Sequence, residues 1–154
     1  MTDETLSRQR PPQDPAGLVQ ACRRLHTAID ALDAKAAEAA GITRNDLRCL
    51  NLLEHGPTSP KEISAALELT SGSVTAMIDR LEKSSYVKRI PHPDDRRALL
   101  IELTPAIYGV LAGVYRPLGQ AIADLASTYG GDRAAEAVVH INDVSAVFER
   151  LKDQ

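Results

Sequence analysis

The side chains best suited to chemistry in this chain are hydroxyls and cations gathered between positions 70 and 97. Ser71, Ser73 and Thr75 open an amphipathic segment that continues through Asp79, Arg80 and Lys83. Small hydroxyl residues at a helix N-terminus can bond to phosphate oxygens or base edges, and the helix end itself favours anions. Lys88, Arg89, Arg96 and Arg97 then place four cations within ten residues. They surround Pro91-His92-Pro93-Asp94-Asp95-Arg96-Arg97, a segment rich in turn formers that resist strand pairing. An arginine on a projecting turn can enter a minor groove, where narrow width concentrates negative potential. Asp94, two residues before Arg96, can accept hydrogen bonds from the guanidinium or from turn amides and so aim the arginine. Taken singly, each stretch has a plainer explanation as a solvated helix face or a solvated turn with incidental ion pairs. Taken together, they point to duplex nucleic acid.

Other chemistries find little support. His26, His55, His92 and His140 are scattered over four segments, without the paired spacing of a metal site. There is no phosphate-cradling glycine loop, no nucleophile elbow and no poised acid–base pair, so neither an enzyme nor a cofactor is expected. Cys22 and Cys49 form no disulfide framework and read as reduced thiols. The net charge is -3, so a nucleic-acid reading must rest on where cations sit and not on their sum. No apolar run approaches the ~20 residues that span a bilayer, and no leader pattern opens the chain. A soluble, cytoplasmic protein without membrane contact is the expectation.

The elements that must hold these residues follow from the hydrophobic period. A length of 154 residues favours one domain. Aromatics are only 3% of the chain, so the core must be built from Leu, Ile, Val and Ala, which favours helices. Residues 1–14 are polar and are expected to form a mobile tail. Leu18, Cys22, Leu25, Ile29 and Leu32 give one apolar stripe on a helix over 15–40, stopped by Gly41. Thr43 caps a second helix reaching about His55, with Leu47, Leu50 and Leu53 inward. Ser59-Pro60 with Glu62 is a capping box that starts a short third helix, with Ile63, Ala66 and Leu67 on its inner face. Thr70 or Ser71 caps a fourth, whose buried stripe is Val74, Met77, Ile78 and Leu81. The period then changes, and Val87–Ile90 and Leu99–Leu103 read as two strands joined by the turn-rich tip. Thr104 caps a long fifth helix to about Tyr129, which Pro117 should kink or divide. After Gly130-Gly131-Asp132, a last helix carries Ala137, Ile141, Val144, Val147, Phe148 and Leu151. A tight helix pair followed by a charged hairpin is a winged helix-turn-helix arrangement.

Leu69–Lys83, followed by Val87, Arg89, Pro93-Asp94-Asp95-Arg96-Arg97 and Leu103-Thr104, resembles the signature of the MarR family of transcription regulators. The resemblance implies a mainly α fold with a small β-hairpin wing. It also implies a DNA-binding lobe over 43–104, flanked by N- and C-terminal dimerisation helices over 15–40 and 105–154 in a single domain of residues 15–154. By resemblance, Ser71, Ser73, Thr75 and Arg80 take the recognition-helix roles. Asp94 and Arg96 take the wing roles with Arg97 beside them. The expected function is a ligand-responsive repressor that binds a pseudo-palindromic operator as a homodimer. Family pockets lie between the dimer helices and the DNA-binding lobe and often take small aromatic acids, which makes His26, Asp30 and Arg48 candidate contacts for an organic effector. Two alternatives stay open: a wing-containing adaptor that binds protein without an effector, and a redox sensor acting through Cys22. One departure from the family pattern is Ser85, where glycine is usual.

Overall fold

The computed structural model describes residues 14–95 and 97–152. Residues 1–13 of the expected tail, and the wing residue Arg96, lie outside them. Six helices and one hairpin follow in the order α1 (Pro15–Ala40), α2 (Arg44–Leu53), α3 (Pro60–Leu67), α4 (Ser71–Lys83), β1 (Val87–Pro91), β2 (Leu99–Leu103), α5 (Ala106–Tyr129) and α6 (Gly131–Lys152).

Side-chain caps set most helix starts. Asp14, which the sequence assigned to the tail, accepts the Gly17 amide at 2.8 Å and caps α1. Reciprocal capping boxes open α2 (Thr43 with Asp46) and α3 (Ser59 with Glu62). The Ser59 hydroxyl and amide both donate to Glu62 and hold its carboxyl below the usual carboxylate range. Thr70, not Ser71, caps α4. The same device was expected of Thr104 at α5, and there the structure differs. Thr104 gives its hydroxyl proton to the Ser85 carbonyl and its amide proton to the Tyr86 carbonyl, so it closes the base of the wing instead. Pro105 occupies the cap position of α5 without a side-chain hydrogen bond. Nor does Pro117 divide α5, which runs as one helix through it.

The larger of two core clusters lies under the wing. Leu50 and Leu53 of α2, Ile63 and Leu67 of α3 and the α4 stripe of Val74, Met77, Ile78 and Leu81 meet Val87, Ile101 and Ile107. The hairpin is antiparallel with Arg89 opposite Ile101. On the other side of β2, Thr58 and Ile101 exchange both backbone hydrogen bonds, at 2.9 and 3.0 Å, which anchors the connection between α2 and α3 to the sheet. A smaller cluster of Ala36, Ala37 and Leu47 seats α1 and α5 on this lobe. There the Tyr115 hydroxyl donates to Asp33 at 3.1 Å; burial and that carboxylate push Tyr115 up to about 12, so it stays a donor at neutral pH.

Helix α4 ends in a Schellman turn. The Ser85 amide donates to the Glu82 carbonyl at 2.8 Å and the Tyr86 amide to the Leu81 carbonyl at 2.9 Å, with Ser85 at φ 61°. This left-handed conformation costs a non-glycine residue about 1 kcal/mol. Ser85→Gly should therefore raise stability by about 0.5–1 kcal/mol, with the gain reduced by glycine's greater freedom when unfolded. Thermal denaturation should show a Tm higher by roughly 2–3 °C; an unchanged or lower Tm would contradict the strain.

Candidate nucleic-acid interface

Burial of one face of α4 turns the other face outward. Ser71, Ser73, Thr75, Ala76, Asp79 and Arg80 are all exposed. The three hydroxyls are not equivalent. Ser73 pairs with the Thr70 hydroxyl at 2.9 Å. Thr75 donates to the Ser71 carbonyl at 2.9 Å, one turn back, so it can offer a base edge only its lone pairs and its methyl group. Ser71 has no side-chain hydrogen bond among the described residues and is the hydroxyl most available to a phosphate.

Arg80 is engaged. Its Nη2 donates to Asp46 Oδ1 at 2.8 Å, and the Asp46 side chain is only 3% exposed. Sequence reasoning missed Asp46 as a site residue. The signal was present in Thr43-x-x-Asp46, which reads as a capping box, but spacing alone does not reveal that the second carboxylate oxygen faces α4.

The wing cations divide into two groups. Lys88 pairs with Glu102 across the hairpin at 2.7 Å. Arg89 reaches back to the recognition helix, donating to Asp79 at 2.5 Å and to Glu82. The hydrogen bond to Asp79 and the carboxylate charges of Glu82 and Asp79 raise its guanidinium pKa above the ordinary arginine value. These two cations, which the sequence placed with the tip, are held in ion pairs at the wing's base. Arg97 is exposed and has no ion pair among the described residues. At the tip, Asp95 accepts a turn amide, from Arg97 N–H at 2.9 Å. Asp94 donates its own amide to His92 Nδ1 at 3.1 Å, and its carboxylate is exposed.

The three candidate effector residues are not gathered at one cavity. His26 lines an apolar groove of about 550 Å³ between α1 and α6, with Leu18, Cys22, Leu25, His140 and Phe148. Asp30 pairs with Arg44, which holds its carboxyl low, and Arg48 donates to Asn45 at 3.4 Å. Neither Asp30 nor Arg48 lines that groove. No group of three metal-ligating side chains occurs among the described residues, and no described helix is long and apolar enough to cross a membrane.

Comparison with known proteins decides the family. The profile of the MarR family matches residues 42–99. The uncharacterized HTH-type transcriptional regulator YcgE of Bacillus subtilis (strain 168) is 38% identical over 112 residues, covering 72% of this chain and 73% of that protein. The chain belongs to the MarR family. Like other MarR proteins it is a DNA-binding transcription regulator of the winged-helix type and not an enzyme. Solved structures share the fold. The transcriptional regulator Tm0710 of Thermotoga maritima superposes with a TM-score of 0.66 at 24% identity, over 90% of this chain and 99% of that one. MepR of S. aureus, in the crystal structure of its complex with DNA, superposes with a TM-score of 0.56 at 16% identity, over 82% of this chain and 96% of that one.

The two cysteines of this MarR protein sit in different surroundings. Cys49 is fully buried, and burial, with Asp46 nearby, pushes its thiol up to about 12. At pH 8 Cys49 then stays a thiol, the unreactive form. A Cys22→Ser variant should therefore release no colour from a thiol reagent at pH 8 until denaturant is added. Rapid reaction of the native variant would show that Cys49 is accessible.

Proposed function

We propose that the chain is an effector-responsive repressor that grips a pseudo-palindromic operator as a homodimer. The observation that carries this reading is the outward face of α4, bearing Ser71, Ser73, Thr75 and Arg80 beside a wing that Arg89 clamps to the same helix. A helix of this kind can lie in the major groove while the wing tip follows the neighbouring minor groove. Arg97 belongs to that tip, and the family resemblance assigns Arg96 to the groove with Asp94 aiming it. The DNA-bound MepR structure supports DNA engagement by this fold.

Dimerisation is supported by the exposed apolar faces of the terminal helices. Leu18, Leu25 and Ile29 of α1 and Val147, Phe148 and Leu151 of α6 are each about half exposed or more in the single chain. An apolar surface of this kind marks an interface, and a two-fold pair would read half-sites about 10 base pairs apart. The lobe over 43–104 then contacts DNA, and the helices over 15–40 and 105–154 hold the pair together. An organic effector that prefers one separation of the two lobes would shift affinity by that preference and no more. His26 borders the apolar groove between α1 and α6, while Asp30 and Arg48, which lie outside that groove, are separate candidate contacts for an effector. Work inside the cell follows from a DNA target.

Two measurements test the reading. Sedimentation of the wild type at micromolar concentration should give a dimer, and Phe148→Asp should shift it to monomer; a wild-type monomer that stays so on DNA removes the dimer. DNA affinity measured against salt should fall steeply. Arg96→Ala should make the slope shallower by about 0.9, because one fewer counterion is released. Asp94→Ala should also weaken binding although it removes a negative charge; equal or tighter binding would show that Asp94 does not orient the tip. Retardation of no duplex at all would favour a protein-binding adaptor.

A further inference from the structure

Asp46 is the one charged residue among the described residues that is buried, at 2% exposure. Both of its oxygens are committed. Oδ2 accepts the Thr43 amide at 3.0 Å, and Oδ1 accepts Arg80 Nη2 at 2.8 Å. Its own amide donates to Thr43 Oγ1 at 3.1 Å, completing the cap of α2. Two residues earlier Arg44 is tied to α1 by its pair with Asp30 and by a 3.0 Å hydrogen bond to the Asp30 carbonyl. The start of α2 is thus held from α1, by its own cap and by the core.

Arg80 is the opposite kind of group. Its side chain is 55% exposed and rises from the outward side of α4. It borders a surface groove with Thr43, Arg44, Asn45 and Ser73. Of the two partners, the immobile one is the carboxylate. One guanidinium nitrogen is held by it, and the remaining donors of a rigid planar fork are left for another acceptor. An arginine whose plane is set before DNA arrives loses less freedom on binding and can satisfy only acceptors lying in that plane.

From this geometry we infer that Asp46 is a positioning residue that presents Arg80 to DNA and sets the sequence preference where Arg80 lands. The inference rests on the DNA-binding reading above. Asp46 touches no DNA itself, so it acts on base preference only through the arginine. A purely structural role would lower stability and affinity while leaving the preference among sequences unchanged.

The test uses a duplex selected from a random pool by the wild-type protein, together with its single-base-pair variants. Asp46→Asn keeps a carbonyl oxygen for the Thr43 amide but loses the charge that holds Arg80. It should weaken the selected duplex roughly tenfold and flatten discrimination at one base pair per half-site. Arg80→Gln should flatten the same position, and adding Asp46→Asn to it should change discrimination no further. Wild-type preference in Asp46→Asn, or an effect that adds in full to that of Arg80→Gln, would overturn the positioning role. Selection of no duplex by the wild type would remove the DNA-binding reading and this inference with it. Binding with unaltered preference removes this inference alone. A measurement without any variant guards against loss of folding: nitrogen-15 spectra of arginine-labelled wild type should show slowed rotation at the Arg80 Nη groups in the free protein. Free rotation there would equally overturn it.

Discussion

Val74, Met77, Ile78 and Leu81 share one face of a 13-residue helix, and all four reach the same core. Burying each contributes about 1.5–3 kcal/mol, an upper estimate when the unfolded chain is itself compact. Their sum is comparable with the whole stability of an ordinary domain. Rotating α4 about its axis would expose most of them, so its orientation is not adjustable. The outward direction of Ser71, Ser73, Thr75 and Arg80 is the geometric complement of that burial. The wing follows from the same contact, because Val87 and Ile101 cover the inner face of α4 while Arg89 grips its flank through Asp79 and Glu82.

Local signals in the sequence carried the architecture a long way. Capping boxes, the periods of 3.6 and 2 and the turn-rich wing tip all depend on neighbouring residues, and each led to an element that the structure contains. Ser85 was legible as a strained position once the family pattern was in view, and its positive φ confirms it. What escaped was long-range. Thr104 has the local marks of a cap, yet its hydroxyl bonds 19 residues back to Ser85. Asp46 and Arg80 lie 34 residues apart, and no spacing rule links them. Lys88 and Arg89 looked like free cations because their carboxylate partners sit on the opposite strand and on α4. His26, Asp30 and Arg48 were grouped by where family pockets lie, but Asp30 pairs with Arg44, Arg48 with Asn45, and neither lines the groove that His26 borders.

The terminal helices show a different balance. α1 and α6 carry apolar side chains at helical spacing, yet among their described residues only Ala36, Ala37 and Ala40, near the end of α1, are buried in the single chain. That segment meets the lobe, and the Tyr86 hydroxyl donates to the Ala40 carbonyl at 3.1 Å beside it. The rest of α1 projects away with its stripe uncovered. A helix is sustained in water mainly by packing of its apolar face and not by propensity. The lobe around α4 is therefore complete within one chain, whereas α1 and α6 present a surface whose natural complement is another apolar surface.

Glu68 and Ser85 both adopt left-handed backbone, at φ 56° and 61°, and they stand on either side of the recognition helix. Each reverses the chain within a residue or two and hands it to a partner that is itself anchored, α3 on one side and the hydrogen-bonded strand pair on the other. The segment between them behaves like a rung of set length between two rails. An added or deleted residue would twist every following side chain by about 100° and would break one of the two reversals. Divergence of target preference in a protein built this way must proceed by exchanging side chains at constant spacing.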